Sequence, residues 1–370
     1  MATVVVLGSY APSLIHFRGS LIRALVERGH RVVAMAPAIG GDISARLRAI
    51  GAESHDIPLD NQSLNPLAML RTVRALTRAF AELRPDAVIA YTVKPVTLGA
   101  AAAARARVPR FVSLITGVGY AFSGGNSVKR RLSELAATVL YRRALRQSSA
   151  IVFQNPDDRD LFRARGLLPA RPEPVLVGGS GIDLVQFSPE PLPGGCRFLM
   201  ISRLLGDKGL REYGEAARRL KVKHPEARFA LVGYFDNSPD AVSRDELAAI
   251  EAGGVEYLGR MDDVRGAIAG CNVYVLPSYR EGTPRSVLEA MAMGRAIVTT
   301  DAPGCRQTVD DGRKGFLAAP RDAGSLEAAM ARFIADPDLI APMGAESRRI
   351  AEERFDVNRV NEQMLAAAGL

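Results

Sequence analysis

Two glutamates in the second half of the chain have types and a spacing that suit sugar and nucleotide chemistry. Glu281 lies in a turn rich in glycine and proline, and Glu289 follows eight positions later on a predicted helix. Between them, Gly282, Thr283 and Pro284 place the backbone at the N-terminus of that helix. Such a terminus carries roughly half a positive charge and attracts phosphate. A carboxylate beside it can hold sugar hydroxyls and one two turns later can hold a ribose, so the segment suits a nucleotide sugar.

The sequence around both glutamates carries a family resemblance. It reads PSYREGTPRSVLEAMAMG from Pro277 and AIVTTDAPG from Ala296. This resembles the donor-site signature of the family 4 retaining glycosyltransferases, in which two glutamates are separated by seven residues in a C-terminal Rossmann-like domain. The resemblance implies that Glu281 binds the sugar, that Glu289 binds the ribose, and that the intervening turn adds backbone hydrogen bonds. The alternative is a strand, turn and helix whose two glutamates are only solvated.

Two cations, Arg203 and Lys208, follow another predicted strand in the run SRLLGDKG. This run resembles the R-x-x-x-x-K-G element of the same family. A nucleoside diphosphate gathers negative charge as it leaves the sugar, and fixed cations aimed at that charge favour its departure. The resemblance therefore implies catalytic roles for Arg203, Lys208 and Glu281. An ordinary basic loop is the alternative.

Two shorter elements complete the predicted donor site. The run LVG ending at Gly233 resembles the family's L-V-G-x-G loop, with Phe235 in place of the second glycine. Arg260 and Met261 follow a later strand, where family members hold the nucleotide base through backbone groups. The resemblance implies that Gly233, Arg260 and Met261 bind the donor.

Candidate acceptor residues lie in the first half of the chain. The segment after the first strand lacks the G-x-G-x-x-G fingerprint, which disfavours NAD and FAD. It reads as a longer loop that leads to His16 and Arg18 at the start of a helix. This pair resembles acceptor-side residues of the family, and a capping or surface role is the alternative.

A glycine-rich loop later in the first half contains Thr116, Gly117 and Tyr120. Together with the run YTVKP from Tyr91, it resembles enzymes that extend polyprenyl-diphosphate-linked sugars. We predict that it lines the acceptor site, the alternative being a structural turn. Many family members have a histidine near this point that contacts the donor sugar, and none is present here, so the residue that replaces it is unassigned.

The positive charge is concentrated in the first half. Residues 1–190 contain 24 basic and 14 acidic residues, whereas residues 191–370 contain 24 and 26. Within the first half, residues 126–147 form a predicted basic amphipathic helix. Such helices bind anionic membrane surfaces, although a helix with a solvated basic face is the alternative. No nucleic-acid motif is found, so we expect an anionic membrane surface and no nucleic acid as a partner.

Metal binding and membrane spanning are both disfavoured. Cys196, Cys271 and Cys305 are odd in number, lack metal-ligand spacing and are typical of reduced thiols in a cytosolic protein. No Asp-x-Asp metal motif follows a strand, so we expect no metal and no other cofactor. No apolar run reaches the ~20 residues that span a bilayer, and the chain enters a strand at once without a signal-peptide pattern. We therefore expect a cytoplasmic protein that is peripheral on the membrane.

The elements that position these residues alternate between strand and helix, which predicts two α/β units with parallel sheets. The pattern restarts after a stretch rich in glycine and proline, residues 178–195. Within it, GSGID and FSP resemble the family's N-G-V-D…F-x-P linker, with Ser180 in place of the asparagine. The resemblance implies the GT-B fold, two Rossmann-like domains facing a cleft. We predict an acceptor domain over 1–185, a donor domain over 186–354, and a C-terminal helix, 355–370, that crosses back to the first domain.

The sequence therefore predicts a retaining glycosyltransferase. The expected donor is a UDP-sugar, such as a UDP-N-acetylhexosamine, and the expected acceptor is a lipid-diphosphate saccharide in surface polysaccharide or glycan assembly. One alternative is a UDP-sugar epimerase, which needs no acceptor. Another is a binding protein without turnover, which is expected to lack Arg203, Lys208 or Glu281. All three residues are present.

Overall fold

Two parallel sheets organise the chain, each within its own unit. The computed structural model describes residues 1–61, 63, 65–118, 128–236, 238 and 240–370, and only the backbone of 128–133. Unit 1 comprises Met1–Ser180 and Asn358–Leu370, and unit 2 comprises Gly181–Val357.

Unit 1 is built on a seven-stranded parallel sheet with the order β3-β2-β1-β4-β5-β6-β7. Its elements before the second unit are β1 (Thr3–Leu7), α1 (Ala11–His16), α2 (Gly19–Glu27), β2 (Arg31–Ala36), α3 (Gly41–Ala49), β3 (Glu53–Asp56), α4 (Pro66–Leu83), β4 (Ala87–Tyr91), α5 (Val93–Ala106), β5 (Arg110–Ile115), α6 (Val128–Arg146), β6 (Ala150–Phe153), α7 (Pro156–Ala164) and β7 (Val175–Leu176). The central strands β1, β4 and β5 are mostly apolar and buried because helices cover both faces of the sheet.

The helices of unit 1 form two layers. On one face of the sheet, α1, α2 and α3 share an apolar core with β1 and β2. On the other face, α4, α5, α6 and α7 share a second core with the opposite sides of the same strands. Consecutive residues of a strand point their side chains to these two cores in turn, as Val4 and Val5 of β1 do.

Local sequence fixes the bounds of α4. The Asn65 side chain accepts a hydrogen bond from the Leu67 N–H at 2.9 Å, and Pro66 occupies the first turn, where its missing N–H costs nothing. At the other end Arg84 has a φ of 47° and precedes Pro85, which cannot continue a helix.

One expectation for the first loop is wrong. The segment between β1 and α2 contains the short helix α1, where the sequence analysis placed a loop. Pro12 in its first turn favours helix initiation, and Ala11 and Leu14 are buried. As a result, His16 ends α1, and Arg18 caps α2 from the preceding position.

Unit 2 contains a six-stranded parallel sheet with the order β10-β9-β8-β11-β12-β13. Its elements are β8 (Arg197–Arg203), α8 (Leu210–Lys223), β9 (Arg228–Tyr234), α9 (Arg244–Ala252), β10 (Val255–Tyr257), α10 (Arg265–Ala269), β11 (Val273–Leu276), α11 (Arg285–Ala292), β12 (Ala296–Thr300), β13 (Gly315–Ala318), α12 (Ala323–Ala335) and α13 (Ile340–Arg354). Helices from both layers bury their apolar faces against this sheet in one continuous core.

The last helix, α14 (Val357–Ala368), packs on unit 1 as predicted. Val360, Met364 and Leu365 are buried in the same core as Val4 and Val6 of β1. An ion pair between Arg28 and Glu362 adds a polar contact at its exposed edge. Within the ranges described above, no helix is both long enough and apolar enough to cross a bilayer.

Candidate functional site

The strand order of unit 2 reverses between β8 and β11, which lie side by side. In open parallel sheets, ligands bind outside the carboxyl ends of the strands at such a switch point. The segment from Arg203 to Lys208 leaves β8 there, and the segment from Pro277 to Glu281 leaves β11. Two predicted site elements that are about seventy residues apart in sequence therefore meet at the edge where a ligand is expected.

Lys208 and Glu281 form an ion pair at this edge. The Lys208 Nζ donates to Glu281 Oε1 at 2.6 Å, and each side chain is only 16% exposed. Burial by itself lowers the pKa of the Lys208 ammonium, but the charge and hydrogen bond of Glu281 outweigh it and leave that pKa raised. The ammonium therefore keeps its proton at neutral pH, beside a carboxylate that can accept from hydroxyl groups.

Two glycines bring the loops of this pair together. Gly209 has a φ of 74°, and a Cβ there would lie 2.2 Å from the Pro277 carbonyl oxygen. Gly304 has a φ of 80°, and a Cβ there would lie 2.0 Å from the Glu281 carbonyl oxygen. Only glycine combines this conformation with such a close approach. The Glu281 N–H also donates to the Pro303 carbonyl oxygen at 2.9 Å, which ties Glu281 to the loop after β12.

Arg203 is held by a carboxylate that the sequence analysis missed. Its Nη1 donates to Asp236 Oδ2 at 2.8 Å, while its side chain remains 44% exposed. Asp240 accepts from the Asp207 N–H at 2.6 Å and so supports the turn that presents Lys208. The only sequence signal for these two carboxylates is their position soon after β9. The pairing of β8 with β9 brings them near Arg203 and Asp207.

Glu289 lies on α11 and has a cation beside it. The Arg285 Nε donates to Glu289 Oε1 at 3.0 Å, and the Glu289 side chain is 12% exposed. Burial raises the pKa of Glu289, and the Arg285 charge partly opposes this rise. Gly282, Thr283 and Pro284 precede the helix as predicted, with Pro284 as its N-cap residue.

We expect Arg285→Met to move the acid limb of the donor kcat/KM profile to higher pH. Without Arg285, the pKa of Glu289 rises further, so the carboxylate takes up its proton at a higher pH. The protonated group has one acceptor fewer for the ribose hydroxyls that Glu289 is predicted to bind. The measurement is kcat/KM for the donor against pH. Arg285→Lys should restore most of the wild-type profile, and Glu289→Gln should lack this limb. An unchanged limb in Arg285→Met would contradict control of Glu289 by Arg285.

The remaining predicted donor residues lie along the same edge. Gly233 is buried near the end of β9, where a Cβ would lie 2.3 Å from the Ser202 carbonyl oxygen. Arg260 is 71% exposed, and its guanidinium carbon lies 5.5 Å from the Tyr234 ring centroid. Met261 packs against the core of unit 2. Their roles in donor binding stay predictions.

In unit 1, the segments after β1 and β4 meet at the carboxyl edge of the sheet. A Cβ on Gly8 would lie 2.2 Å from the Tyr91 hydroxyl, which is 2.8 Å from Ser13 Oγ. Arg18 is only 5% exposed, and its guanidinium carbon lies 4.9 Å from the Tyr91 ring centroid. His16 is exposed at the end of α1. The structure thus places Arg18 in an enclosed aromatic setting, which the sequence did not indicate.

Thr92 begins α5 at the same edge in an unusual conformation. Its φ of 69° is rare for a residue with a side chain, and such strain often occurs at functional sites. Its hydroxyl lies 2.8 Å from Ser9 Oγ. Thr116 and Gly117 follow β5, the strand that pairs with β4. Gly117 has a φ of 143°. Tyr120 lies outside the described residues.

Comparison with known proteins identifies the kind of enzyme. The model described as "Glycosyl transferases group 1" matches residues 195–336. The model described as "Glycosyl transferase 4-like domain" matches residues 17–178. The chain is a glycosyltransferase. The two matches assign the nucleotide-site segments of unit 2 and most of unit 1 to the same kind of enzyme.

A curated relative and two solved structures extend this finding to the whole glycosyltransferase. The chain is 29% identical to the N,N'-diacetylbacillosaminyl-diphospho-undecaprenol alpha-1,3-N-acetylgalactosaminyltransferase of Campylobacter jejuni, over 95% of this chain and 94% of that protein. Sucrose-phosphate synthase from Thermosynechococcus elongatus superposes with a TM-score of 0.81 at 18% identity, over 98% of this chain and 97% of the other. Anabaena HepE in complex with UDP and glucose superposes with a TM-score of 0.78 at 20% identity, over 100% of both chains. The glycosyltransferase therefore has the GT-B fold.

Proposed function

We propose that this glycosyltransferase moves an N-acetylhexosamine from a UDP-sugar to a saccharide carried on a lipid diphosphate. We further propose that it belongs to the family 4 enzymes and retains the configuration of the anomeric carbon. The observation that carries the donor assignment is the Lys208–Glu281 pair at the switch point of unit 2, close to the N-terminus of α11. The Campylobacter jejuni relative aligns with nearly the whole chain. Its name supports a lipid-diphosphate saccharide as the acceptor and an N-acetylhexosamine as the transferred sugar.

In the proposed mechanism, the bond between the anomeric carbon and the diphosphate oxygen breaks while the acceptor hydroxyl attacks the same face of the sugar. Charge develops on the leaving diphosphate, which takes up the proton of that hydroxyl. Arg203 and Lys208 carry the fixed positive charge that stabilises this diphosphate. Arg203 can donate from two nitrogens at once, while Lys208 acts as a point charge. Glu281 accepts from the sugar hydroxyls and Glu289 from the ribose, and the backbone at Gly282 and Thr283 adds hydrogen bonds to the donor.

Donor binding changes the partners of both cations. In the structure Lys208 is paired with Glu281, and Arg203 is paired with Asp236. A diphosphate brings two or more negative charges to this edge, which compete with those carboxylates for the same N–H donors. The Glu281 oxygens that Lys208 gives up are then available to the sugar. The ion pairs thus hold both side chains in place until the donor arrives.

The acceptor and the membrane complete the proposal. Arg18, His16, Thr116, Gly117 and Tyr120 are proposed to face the lipid-linked saccharide. We propose that the enzyme is peripheral on the cytoplasmic face of the membrane and that the basic helix α6 contributes to this contact. A lipid-linked acceptor favours an enzyme that works at the membrane surface.

A nucleotide screen by thermal shift tests the donor assignment. We expect UDP to stabilise the protein by ~2.7 kcal/mol at about 100 times its dissociation constant. GDP and ADP should give smaller shifts at equal concentration. Glu289→Ala is the matched control, because it should lose most of the UDP shift while the unliganded variant still unfolds cooperatively. No shift with any nucleotide or nucleotide sugar would contradict the donor site.

We expect turnover to survive EDTA. The proposed fixed cations, Arg203 and Lys208, supply the charge that a divalent metal supplies to the diphosphate in other enzymes. Across the described side chains, no three His, Cys, Asp or Glu residues group closely enough to hold a metal. The measurement is the initial rate of UDP release before and after chelation. Activity that is lost with EDTA and restored by Mg²⁺ or Mn²⁺ would overturn this expectation.

A further inference from the structure

One helix layer of unit 1 has a surface unlike the rest of the molecule. Helices α4, α5 and α6 cover the same face of the sheet, and α5 contacts both of the others. Among the side chains that the structure describes, the exposed side of this layer carries six arginines, and we call it the α4–α6 surface. They are Arg71, Arg74, Arg78, Arg105, Arg143 and Arg146.

In the described part of the chain, these arginines lack the carboxylate partners that other surface arginines have. On α8 and α13, Arg218, Arg219 and Arg349 each pair with a glutamate on the same helix. In the described part of the chain, no arginine of the α4–α6 surface forms an ion pair. The three helices contain only two carboxylates, Glu82 and Glu134, and Glu134 already pairs with Arg165. The surface therefore presents a positive charge that the protein itself does not neutralise.

Large apolar side chains are exposed among these cations. On α4, Leu67 is 75% exposed and Leu70 is 40% exposed. On α6, Leu135 is 62% exposed and Val139 is 40% exposed. Such residues beside arginines are typical of helices that lie in a membrane interface. A nucleic acid would satisfy the charges and leave these side chains in water, so the combination favours lipid.

A groove between α5 and α6 crosses this surface. It has a volume of about 510 Å³. Its lining combines apolar and polar residues, which are Ala101, Ala104, Leu140 and Ala144 on the one hand and Thr97, Arg105, Arg143 and Gln147 on the other. This lining suits a phospholipid, because the apolar residues can contact an acyl chain and the two arginines can donate to a phosphate.

The direction of the helices places one end of this surface at the carboxyl edge of the sheet. Helices that connect parallel strands run opposite to the strands, so the first turn of α4 lies at the carboxyl edge of the sheet. That edge carries Arg18 and Thr116, and the exposed Leu67 belongs to the first turn. A membrane that contacts α4 is therefore beside the edge proposed to receive the acceptor.

We propose that the α4–α6 surface docks on an anionic phospholipid bilayer, with one lipid seated in the groove between α5 and α6. This deepens the membrane contact proposed above, and so rests on the proposed function, by assigning the contact to three helices and a groove. One arginine of the predicted basic helix has a structural role and is not part of the α4–α6 surface. Arg142 donates to the Gly166 carbonyl at 3.0 Å and supports the fold of unit 1.

Vesicle flotation of the full chain tests the surface, with phosphatidylcholine alone or mixed with phosphatidylglycerol. We expect Arg71→Gln/Arg74→Gln/Arg78→Gln to weaken partition to the mixed vesicles more than about tenfold, since each basic residue near an anionic surface contributes roughly fivefold. Leu67→Ser/Leu135→Ser should weaken it as well. The matched control is Arg23→Gln/Arg46→Gln/Arg48→Gln, three exposed arginines of the opposite layer, which should bind as wild type. Wild-type binding by the α4 variant would overturn the proposal, as would binding of RNA in place of vesicles.

Native mass spectrometry after incubation with phosphatidylglycerol tests the groove. We expect the wild type to retain one lipid and Ala104→Trp, which fills the groove without a change of charge, to lose it. Equal retention would overturn the seated lipid. The UDP thermal shift of the same variants separates this proposal from the proposed function. Lost vesicle binding with an intact UDP shift supports the surface alone, whereas a wild type without a UDP shift contradicts the donor site and leaves the vesicle result standing.

Discussion

Lys208→Ala and Arg203→Ala are each expected to lower kcat by more than about 10²-fold, the loss that follows removal of one preorganised donor at a developing charge. Both side chains are fixed by carboxylates at the edge where β8 and β11 end, so they need little rearrangement to face a diphosphate. Their effect is largest in the transition state, when the leaving group gathers charge. The measurement is the rate of UDP release at saturating donor and acceptor, below the unfolding temperature of each variant.

Two variants on α8, the helix that follows Lys208, serve as matched controls. Lys223 and Arg218 lie on α8, are more than half exposed, and pair with Glu327 and Glu215. Exposed pairs of this kind contribute little to stability, and neither residue belongs to the predicted donor site. Lys223→Ala and Arg218→Ala should therefore keep rates within about twofold of wild type. If Lys208→Ala and Arg203→Ala also turned over at near wild-type rates, the assignment of diphosphate stabilisation to them would be wrong.

The second large effect concerns stability. Lys208→Met should destabilise the protein by about 3 kcal/mol, because it leaves the Glu281 carboxylate largely buried without its cation. The double variant Lys208→Met/Glu281→Leu should recover most of this loss, since an apolar pair of similar volume avoids the cost of burying two charges. Both variants should be inactive. Because pairing raises the pKa of Lys208, its contribution is present at neutral pH and lost only as the pH rises through that raised value.

Scanning calorimetry of the single and double variants measures this effect. In a unit of this size, 1 kcal/mol corresponds to roughly 2–4 °C in melting temperature. The matched control is the exposed pair Arg218–Glu215, for which Arg218→Met should change the melting temperature by no more than a few degrees. A Lys208→Met variant as stable as wild type would show that the pair does not form in solution.

The alternation of strands and helices was predictable where apolar periodicity was strong. A capping asparagine and a proline fix the bounds of α4 locally, and an unbroken apolar run fixes β1. β3 has no such signal because all four of its residues are exposed, and its pairing with β2 leaves no apolar pattern in the sequence. The short helix α1 was missed because six residues cover too little periodicity to be distinguished from a loop.

The sequence by itself indicated a glycosyltransferase with two parallel sheets. It also indicated the candidate residues Arg203, Lys208, Glu281 and Glu289, because glycines and cations after strands are local signals. Only the tertiary structure decided their partners. Asp236 reaches Arg203, and Lys208 reaches Glu281, because β8 pairs with β9 on one side and with β11 on the other. It also decided that Arg142 serves the fold while Arg143 faces solvent. Which residues meet depends on strand order and helix packing, and these arise from contacts between segments far apart in the chain.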